Sequence, residues 1–240
     1  MKGEFKKMLS KKQNAVNSLA TQRRFILGEK SNFHVREAYK SLRTNMRFFL
    51  NEEGCKKICI TSGAMSEGKS ITILNLAISI AEDDKRVLLI DADMRRPTLA
   101  RLLNAPASPG LSNVLAGLAS EKDAVHRSAY SNLDVMFAGD IPPNPSELLG
   151  NRRMRELLDN LSEKYDYILV DTPPVNVVTD TCVVAGMLHG VLYLVRKDKA
   201  DRASVIKGVN QLELTGARLL GFVMNGADAS VDKRYVSEYK

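Results

Sequence analysis

Gly63-Ala-Met-Ser-Glu-Gly-Lys-Ser70 decides the fold, together with the run Lys57-Ile-Cys-Ile-Thr61 before it and Ile71, Leu74, Ala77, Ile78 and Ala81 at helical spacing after it. The stretch fits G-x-x-x-x-G-K-[ST], a phosphate-binding loop between a strand and a helix. Glycines let the backbone curl until successive N–H groups point inward at phosphate oxygens. A helix starting near Lys69 aims the positive end of its dipole at the same point. Lys69 can reach the β- and γ-phosphates, and the Ser70 hydroxyl can ligate Mg²⁺. The expected ligand is therefore a nucleoside triphosphate with Mg²⁺. Its expected contacts are Gly63, Ala64, Met65, Ser66, Glu67, Gly68, Lys69, Ser70 and Ile71.

Two more apolar runs end in aspartate. Val87-Leu-Leu-Ile90 leads into Asp91-Ala-Asp93, and Tyr167-Ile-Leu-Val170 into Asp171-Thr-Pro-Pro174. In a parallel sheet with helical crossovers, the carboxyl ends of the strands share one edge. The loop, Asp91, Asp93 and Asp171 should therefore converge. An aspartate capping a helix after a strand would explain any one of them, but three carboxylates beside a phosphate loop read as a Mg²⁺ site.

A chain of 240 residues can bury one α/β core. With 44% hydrophobic and 26% charged residues it is ordinary for a globular protein. No apolar run approaches the roughly 20 residues that span a bilayer, and no signal peptide is visible. Cys55, Cys59 and Cys182 lack the neighbours of a zinc site and read as reduced thiols. The net charge is +7, and Lys2, Lys6, Lys7, Lys11, Lys12, Arg23 and Arg24 against Glu4 place +6 of it in residues 1–24. The nearly neutral remainder argues against a nucleic-acid face. The basic end reads as a flexible tail, residues 1–30, attracted weakly to anionic lipid headgroups.

Along the chain, Val35, Ala38, Tyr39, Leu42, Met46 and Phe49 predict a helix from His34 to Leu50. Short helices are expected over Thr98–Leu103, Leu111–Ala116 and Lys122–Ser128, then a strand over Leu133–Ala138. One helix capped by Ser146 should carry Glu147 to Leu161, and another should span Thr179–Leu188. Strands Val191–Val195 and Leu219–Asn225 should flank a helix over Ala203–Leu214. The alternation predicts an α/β fold: a doubly wound, mostly parallel sheet flanked by helices. This domain covers residues 31–226, with a short tail, 227–240, bearing Tyr235 and Tyr239.

Together these residues resemble the bacterial tyrosine kinases of capsule and exopolysaccharide synthesis, P-loop proteins related to partition and division ATPases. Val87-Leu-Leu-Ile-Asp91-Ala-Asp93-Met-Arg95-Arg96-Pro97 is similar to the family's second nucleotide motif, and Ile168-Leu-Val-Asp171-Thr-Pro-Pro174 to its Walker B motif, with Asp180 in the Thr-Asp segment that follows. Glu37, Ser41, Arg43, Thr44 and Asn45 resemble the helix through which family members form rings. The resemblance implies an ATP-dependent protein-tyrosine kinase that autophosphorylates Tyr235 and Tyr239, with neighbours in a ring exchanging tails. It implies a membrane-spanning adaptor that recruits the chain to the cytoplasmic face of the membrane. It also implies protein tyrosine substrates.

A tyrosine hydroxyl has a pKa near 10, so a carboxylate or the metal must help remove its proton. Asp91 is the preferred base, with Asp93 and Asp171 as metal supports. Arg95 either steadies transition-state charge or pairs with a neighbour. Asn225 resembles the asparagine that reads adenine in related ATPases. Two other functions compete. A partition-type ATPase switch would place a second lysine after the first loop glycine, where this chain has Ala64. The other is a regulator that binds nucleotide without catalysis.

Overall fold

The computed structural model describes residues 21–50 and 53–227, so the basic segment 1–20 and the tail with Tyr235 and Tyr239 lie outside the described residues. In chain order the elements are α1 (Phe33–Phe49), β1 (Lys56–Ser62), α2 (Lys69–Ala81), β2 (Val87–Asp91), α3 (Leu99–Leu103), α4 (Leu111–Leu115), α5 (Glu121–Ala124) and β3 (Val125–Arg127). There follow β4 (Leu133–Met136), α6 (Pro145–Gly150), α7 (Arg152–Ser162), β5 (Tyr167–Asp171), α8 (Asp180–Ala185), β6 (Gly190–Arg196), α9 (Arg202–Glu213) and β7 (Leu219–Asn225). One sheet runs in the order β3-β4-β2-β5-β1-β6-β7. Every pairing is parallel except that of β3 with β4.

The central strands are continuous apolar runs because helices cover both faces. All five residues of β2 and of β5 are buried. Alternate residues feed two cores. Ile58, Ile60, Leu89 and Leu169 pack with α2 and Met46 of α1 on one face. Cys59, Leu88, Ile90 and Ile168 pack with Leu157, Leu158 and Val184 on the other. The buried Asn75 of α2 accepts from the Leu27 N–H at 2.8 Å and donates to the Phe25 carbonyl at 2.8 Å. Residues 25–27, expected within the flexible tail, are thereby fastened to the body, because a buried amide must be paired on both sides. Asp91 and Asp171 are register partners on adjacent strands, so both carboxylates leave the same edge of the sheet.

Three expected helices are corrected. Residues 122–128 are not one helix: α5 is a single turn, and Val125–Arg127 becomes the antiparallel edge strand β3, His126 opposite Val135. Four residues cannot propagate a helix, while β4 offers an unpaired edge. The helix expected from Ser146 to Leu161 breaks at Asn151, whose backbone is extended and whose side chain caps α7 by accepting from the Arg153 N–H. Ser146 is not a cap. It lies inside α6 behind Pro145, and its hydroxyl donates to the Asp180 carboxylate. The helix expected to reach Leu188 stops at Ala185, before Gly186.

Candidate active site

The loop leaving β1 is held from outside by its carbonyls. Lys199 Nζ donates to the Met65 carbonyl at 2.8 Å and the Ser66 carbonyl at 3.2 Å, and Asn225 Nδ2 donates to the Glu67 carbonyl at 2.7 Å. Because N–H and C=O oppose each other across a planar peptide, these bonds turn the following N–H groups the other way, toward the phosphate position. Ser66 (φ 60°) and Gly68 (φ 104°) supply the left-handed residues that such a curl needs. A Cβ on Gly68 would stand 2.3 Å from Asn225 Nδ2, so glycine there is a requirement of packing as well as of φ. Asn225, expected as an adenine contact, is thus placed as a brace of the loop. Glu67 is buried inside it and accepts from the Ala64 N–H at 3.4 Å. Lys69 opens α2 and is only 8% exposed.

The carboxylates come to this edge but do not share one task. Asp91 has no exposed surface; its Oδ1 accepts from the Asp93 N–H at 3.2 Å and its Oδ2 from the N–H groups of Thr98 at 3.1 Å and Leu99 at 3.0 Å. Those bonds fix the carboxylate and leave Oδ1 a free lone pair. Asp93 is half-buried and accepts from the Arg96 N–H at 3.0 Å. Asp171 is fully buried, and neither carboxylate oxygen has a hydrogen-bond partner. Among the described residues no three His, Cys, Asp or Glu side chains close on a common point. Asp91 turns its oxygens to backbone N–H groups, while Asp171 keeps both of its oxygens unpartnered.

Burial raises the proton affinity of all three. Asp91 is pushed well above its ordinary value by desolvation and then by Asp171. Asp93 is raised by burial, against the Arg96 N–H and Lys69. Asp171 is pushed up to about 7 by burial, with Lys69 and the nearby Ser70 hydroxyl opposing and Asp93 adding. Ser70 lies close enough to favour the ionised carboxylate without completing a bond to it.

A carboxyl whose folded pKa is raised stabilises the fold below its unfolded pKa of about 4, and that contribution is lost as pH rises through 7. Asp171→Asn should therefore raise the thermal midpoint at pH 8 by on the order of 5 °C. At pH 4 the two proteins should melt together. Scanning calorimetry at both pH values checks this.

Arg95 meets Asp180 as a fork, Nε to Oδ2 at 2.8 Å and a terminal nitrogen to Oδ1 at 3.0 Å, and the same carboxylate takes the Ser146 hydroxyl. Of the two readings of Arg95, the ion pair is the arrangement seen. It joins the segment after β2 to α6 and α8. On α1 the side chains of Glu37, Ser41 and Arg43 take different surroundings within the chain. Arg43 turns inward, onto the Ser79 carbonyl and toward Asp83, while Glu37 pairs with Lys40 at 2.7 Å and Ser41 is exposed. Two residues apart on a helix is roughly 200° of rotation, which puts Ser41 and Arg43 on opposite sides.

Sequence reasoning missed Lys199, the burial of Glu67 inside the loop it belongs to, and the hydroxyl stitching of the β5 exit. There Thr172 donates to the Ile60 carbonyl at 2.8 Å, and Thr61 and Thr181 donate to that of Pro173 at 2.9 and 2.6 Å. An exposed lysine in a loop carries no signal of its own, but threonines flanking buried aspartates at strand ends do. A cavity of about 550 Å³ bounded by Arg86, Arg127, Tyr130 and Tyr165 lies at the other end of the strands, away from this chemistry.

Known proteins are similar to this chain in sequence and in fold. The pattern of the AAA domain matches residues 55–212. The tyrosine-protein kinase YwqD of Bacillus subtilis (strain 168) is 37% identical over 199 residues, 83% of this chain and 84% of that one. The putative tyrosine-protein kinase CapB of Staphylococcus aureus is 31% identical over 231 residues, 96% and 99% of the two chains. The crystal structure of the chimerical protein CapA2B2 superposes with a TM-score of 0.79 at 36% identity, covering 83% of this chain and 88% of that one. With a nucleotide loop braced on its carbonyls, a buried carboxylate pair behind it and such relatives along nearly the whole chain, this protein belongs to the bacterial tyrosine-protein kinases.

Proposed function

We propose that this kinase transfers the γ-phosphate of Mg·ATP to Tyr235 and Tyr239 of a neighbouring copy, and so regulates capsular or exopolysaccharide synthesis and export. The observation that carries the chemistry is Asp171, a buried carboxylate with both oxygens unpartnered beside Ser70 and Lys69. Two oxygens without protein donors, a hydroxyl and the half-buried Asp93 suit Mg²⁺, which is commonly held by one or two carboxylates together with substrate phosphates. When bound, Mg²⁺ neutralises charge on the transferring phosphoryl group.

The chain's own groups do the rest. Loop N–H groups and Lys69 hold the β- and γ-phosphates in line. Asp91, fixed by three backbone N–H groups and raised in proton affinity by burial, takes the tyrosine proton. Arg95 keeps the Asp93 segment in place through Asp180.

Other tyrosines are poor acceptors. Tyr193 is fully buried and held up at about 12, and Tyr39 is raised by burial. The proposal extends to self-association in a ring through α1 and to a membrane-spanning adaptor, for which the chimera CapA2B2 offers support. No helix among the described residues is long and apolar enough to cross a membrane. An adaptor would hold the chain at the cytoplasmic face, helped by contact of the basic residues 1–24 with anionic lipid.

The test is a phosphotyrosine blot after incubation with Mg·ATP and the adaptor's cytoplasmic segment. Wild type should give a strong signal. Tyr235→Phe/Tyr239→Phe should lose on the order of 90% of it, as expected when the remaining phenols are buried or lie far from the loop. An undiminished signal in the double variant would contradict the tail assignment.

A further inference from the structure

Beneath the first glycine of the loop, side chains from three parts of the chain meet at one point. A Cβ on Gly63 would lie 2.8 Å from Ser204 Oγ, 3.0 Å from Tyr193 Oη and 3.2 Å from Asn176 Nδ2. Tyr193, in the middle of β6, is among the largest fully buried side chains. Its hydroxyl has no hydrogen-bond partner, and neither does Asn176 Oδ1 beside it. A buried, unpaired hydroxyl is a standing cost that phenylalanine would avoid, so its retention here calls for a reason.

The same hydroxyl is closed off on its far side. A Cβ on Gly208, in the middle of α9, would stand 2.3 Å from Tyr193 Oη and 2.9 Å from two ring carbons. Glycine inside a helix is unfavourable relative to alanine; here it makes room for the phenol. The Tyr193 ring also contacts that of Phe222 on β7, centroids 5.7 Å apart. The phenol is thus a strut with its tip wedged between α9 and the first turn of the loop. No hydrogen bond anchors the tip, so its position follows the elements that press on it. β7 reaches the loop a second time through Asn225.

We infer that Tyr193 is a positioning residue for nucleotide: it sets the height of Gly63, hence the curvature of the phosphate-binding loop, and carries displacements of α9 and β7 into that loop. This rests on the reading of Gly63–Ser70 as the nucleotide loop. It adds to that reading a mechanical input from elements that do not touch the phosphates.

The experiment uses the full chain with three changes: Gly208→Ala, Tyr193→Phe, and both together. Calorimetric binding of Mg·ATP, thermal midpoints and the KM and kcat of phosphotransfer are measured for each. Gly208→Ala drives the phenol toward Gly63 and should weaken Mg·ATP binding about tenfold, raising KM while kcat stays within about twofold. Adding Tyr193→Phe removes the oxygen at 2.3 Å but keeps the two ring carbons at 2.9 Å, so it should recover part of the lost affinity, at least about threefold over Gly208→Ala, a coupling that independent sites would not show.

Wild-type affinity in Gly208→Ala, or a double variant no better than Gly208→Ala, would overturn the inference. Should Gly208→Ala fail to fold, Tyr193→Phe alone decides: it should raise the thermal midpoint and speed hydrogen exchange of the amides of residues 64–70, and unchanged exchange there would overturn the strut. That exchange is measured without nucleotide. A chain that binds no ATP therefore sinks the loop reading, while its amide exchange still decides the strut.

Discussion

Lys69→Met should cut phosphotransfer by at least about 100-fold and leave the thermal midpoint within a few degrees of wild type. The lysine begins α2 at the loop's inner end, 8% exposed, with Asp171 and Asp93 as its charged neighbours. Its ammonium is preorganised against the γ-phosphate, where negative charge shifts during transfer, so its removal is felt most in the transition state. Methionine keeps the length and the apolar stem, which limits the structural cost. There is a second consequence. Lys69 lowers the proton affinity of Asp171, so without it that carboxyl holds its proton to higher pH, and residual activity should rise more steeply between pH 7 and 9. Single-turnover transfer from labelled ATP, run beside a thermal melt, measures both. A folded Lys69→Met protein with near-normal transfer would remove the phosphate-loop assignment.

Asp91→Asn and Asp171→Asn should fail differently. Asp91 is assigned to proton removal, so Asp91→Asn should bind Mg·ATP within about threefold of wild type yet lose on the order of 100-fold or more in kcat. Asparagine has one acceptor oxygen: set toward Thr98 and Leu99 it turns its NH2 against the Asp93 N–H, and flipped it leaves both the Thr98 and Leu99 N–H groups without an acceptor, which predicts a modest loss of stability around α3. Asp171 is assigned to the cation. Asp171→Asn should raise the Mg²⁺ concentration needed for half-maximal activity by about tenfold, besides cutting the rate. Titrating Mg²⁺ at fixed ATP, with nucleotide affinity measured separately, separates the two. If Asp91→Asn kept its rate and lost binding, the roles of the two carboxylates would exchange.

The parts of this enzyme that were readable in advance are those where one local rule dominates. The loop spacing, the apolar runs ending in Asp91 and Asp171, and the helix after Lys69 each follow from period or motif, and the β1, β2 and β5 edge assembled as expected. What was not readable depends on partners distant in sequence. Residues 122–128 became a strand because β4 offered an edge, and Ser146 left its expected cap for a carboxylate 34 residues away. Asn225 faces the loop's backbone because Gly68 leaves a gap of its shape. Arg43 lies inward because α2 places the Ser79 carbonyl beside it, a contact that the spacing along α1 does not reveal. Which aspartate oxygens keep free lone pairs was hidden for the same reason, since it depends on N–H groups supplied by the turn into α3.

In the proposed reaction the Lys69–Asp171 edge moves the γ-phosphate onto tail tyrosines. Peptide mass mapping of the full chain after incubation with Mg·ATP and the adaptor's cytoplasmic segment tests it most directly. The account predicts phosphate on Tyr235 and Tyr239 in wild type and on no tyrosine in Lys69→Met. Phosphate mapped mainly to Tyr39, Tyr130 or Tyr193 with the tail unmodified, or tail phosphate persisting in Lys69→Met, would contradict it.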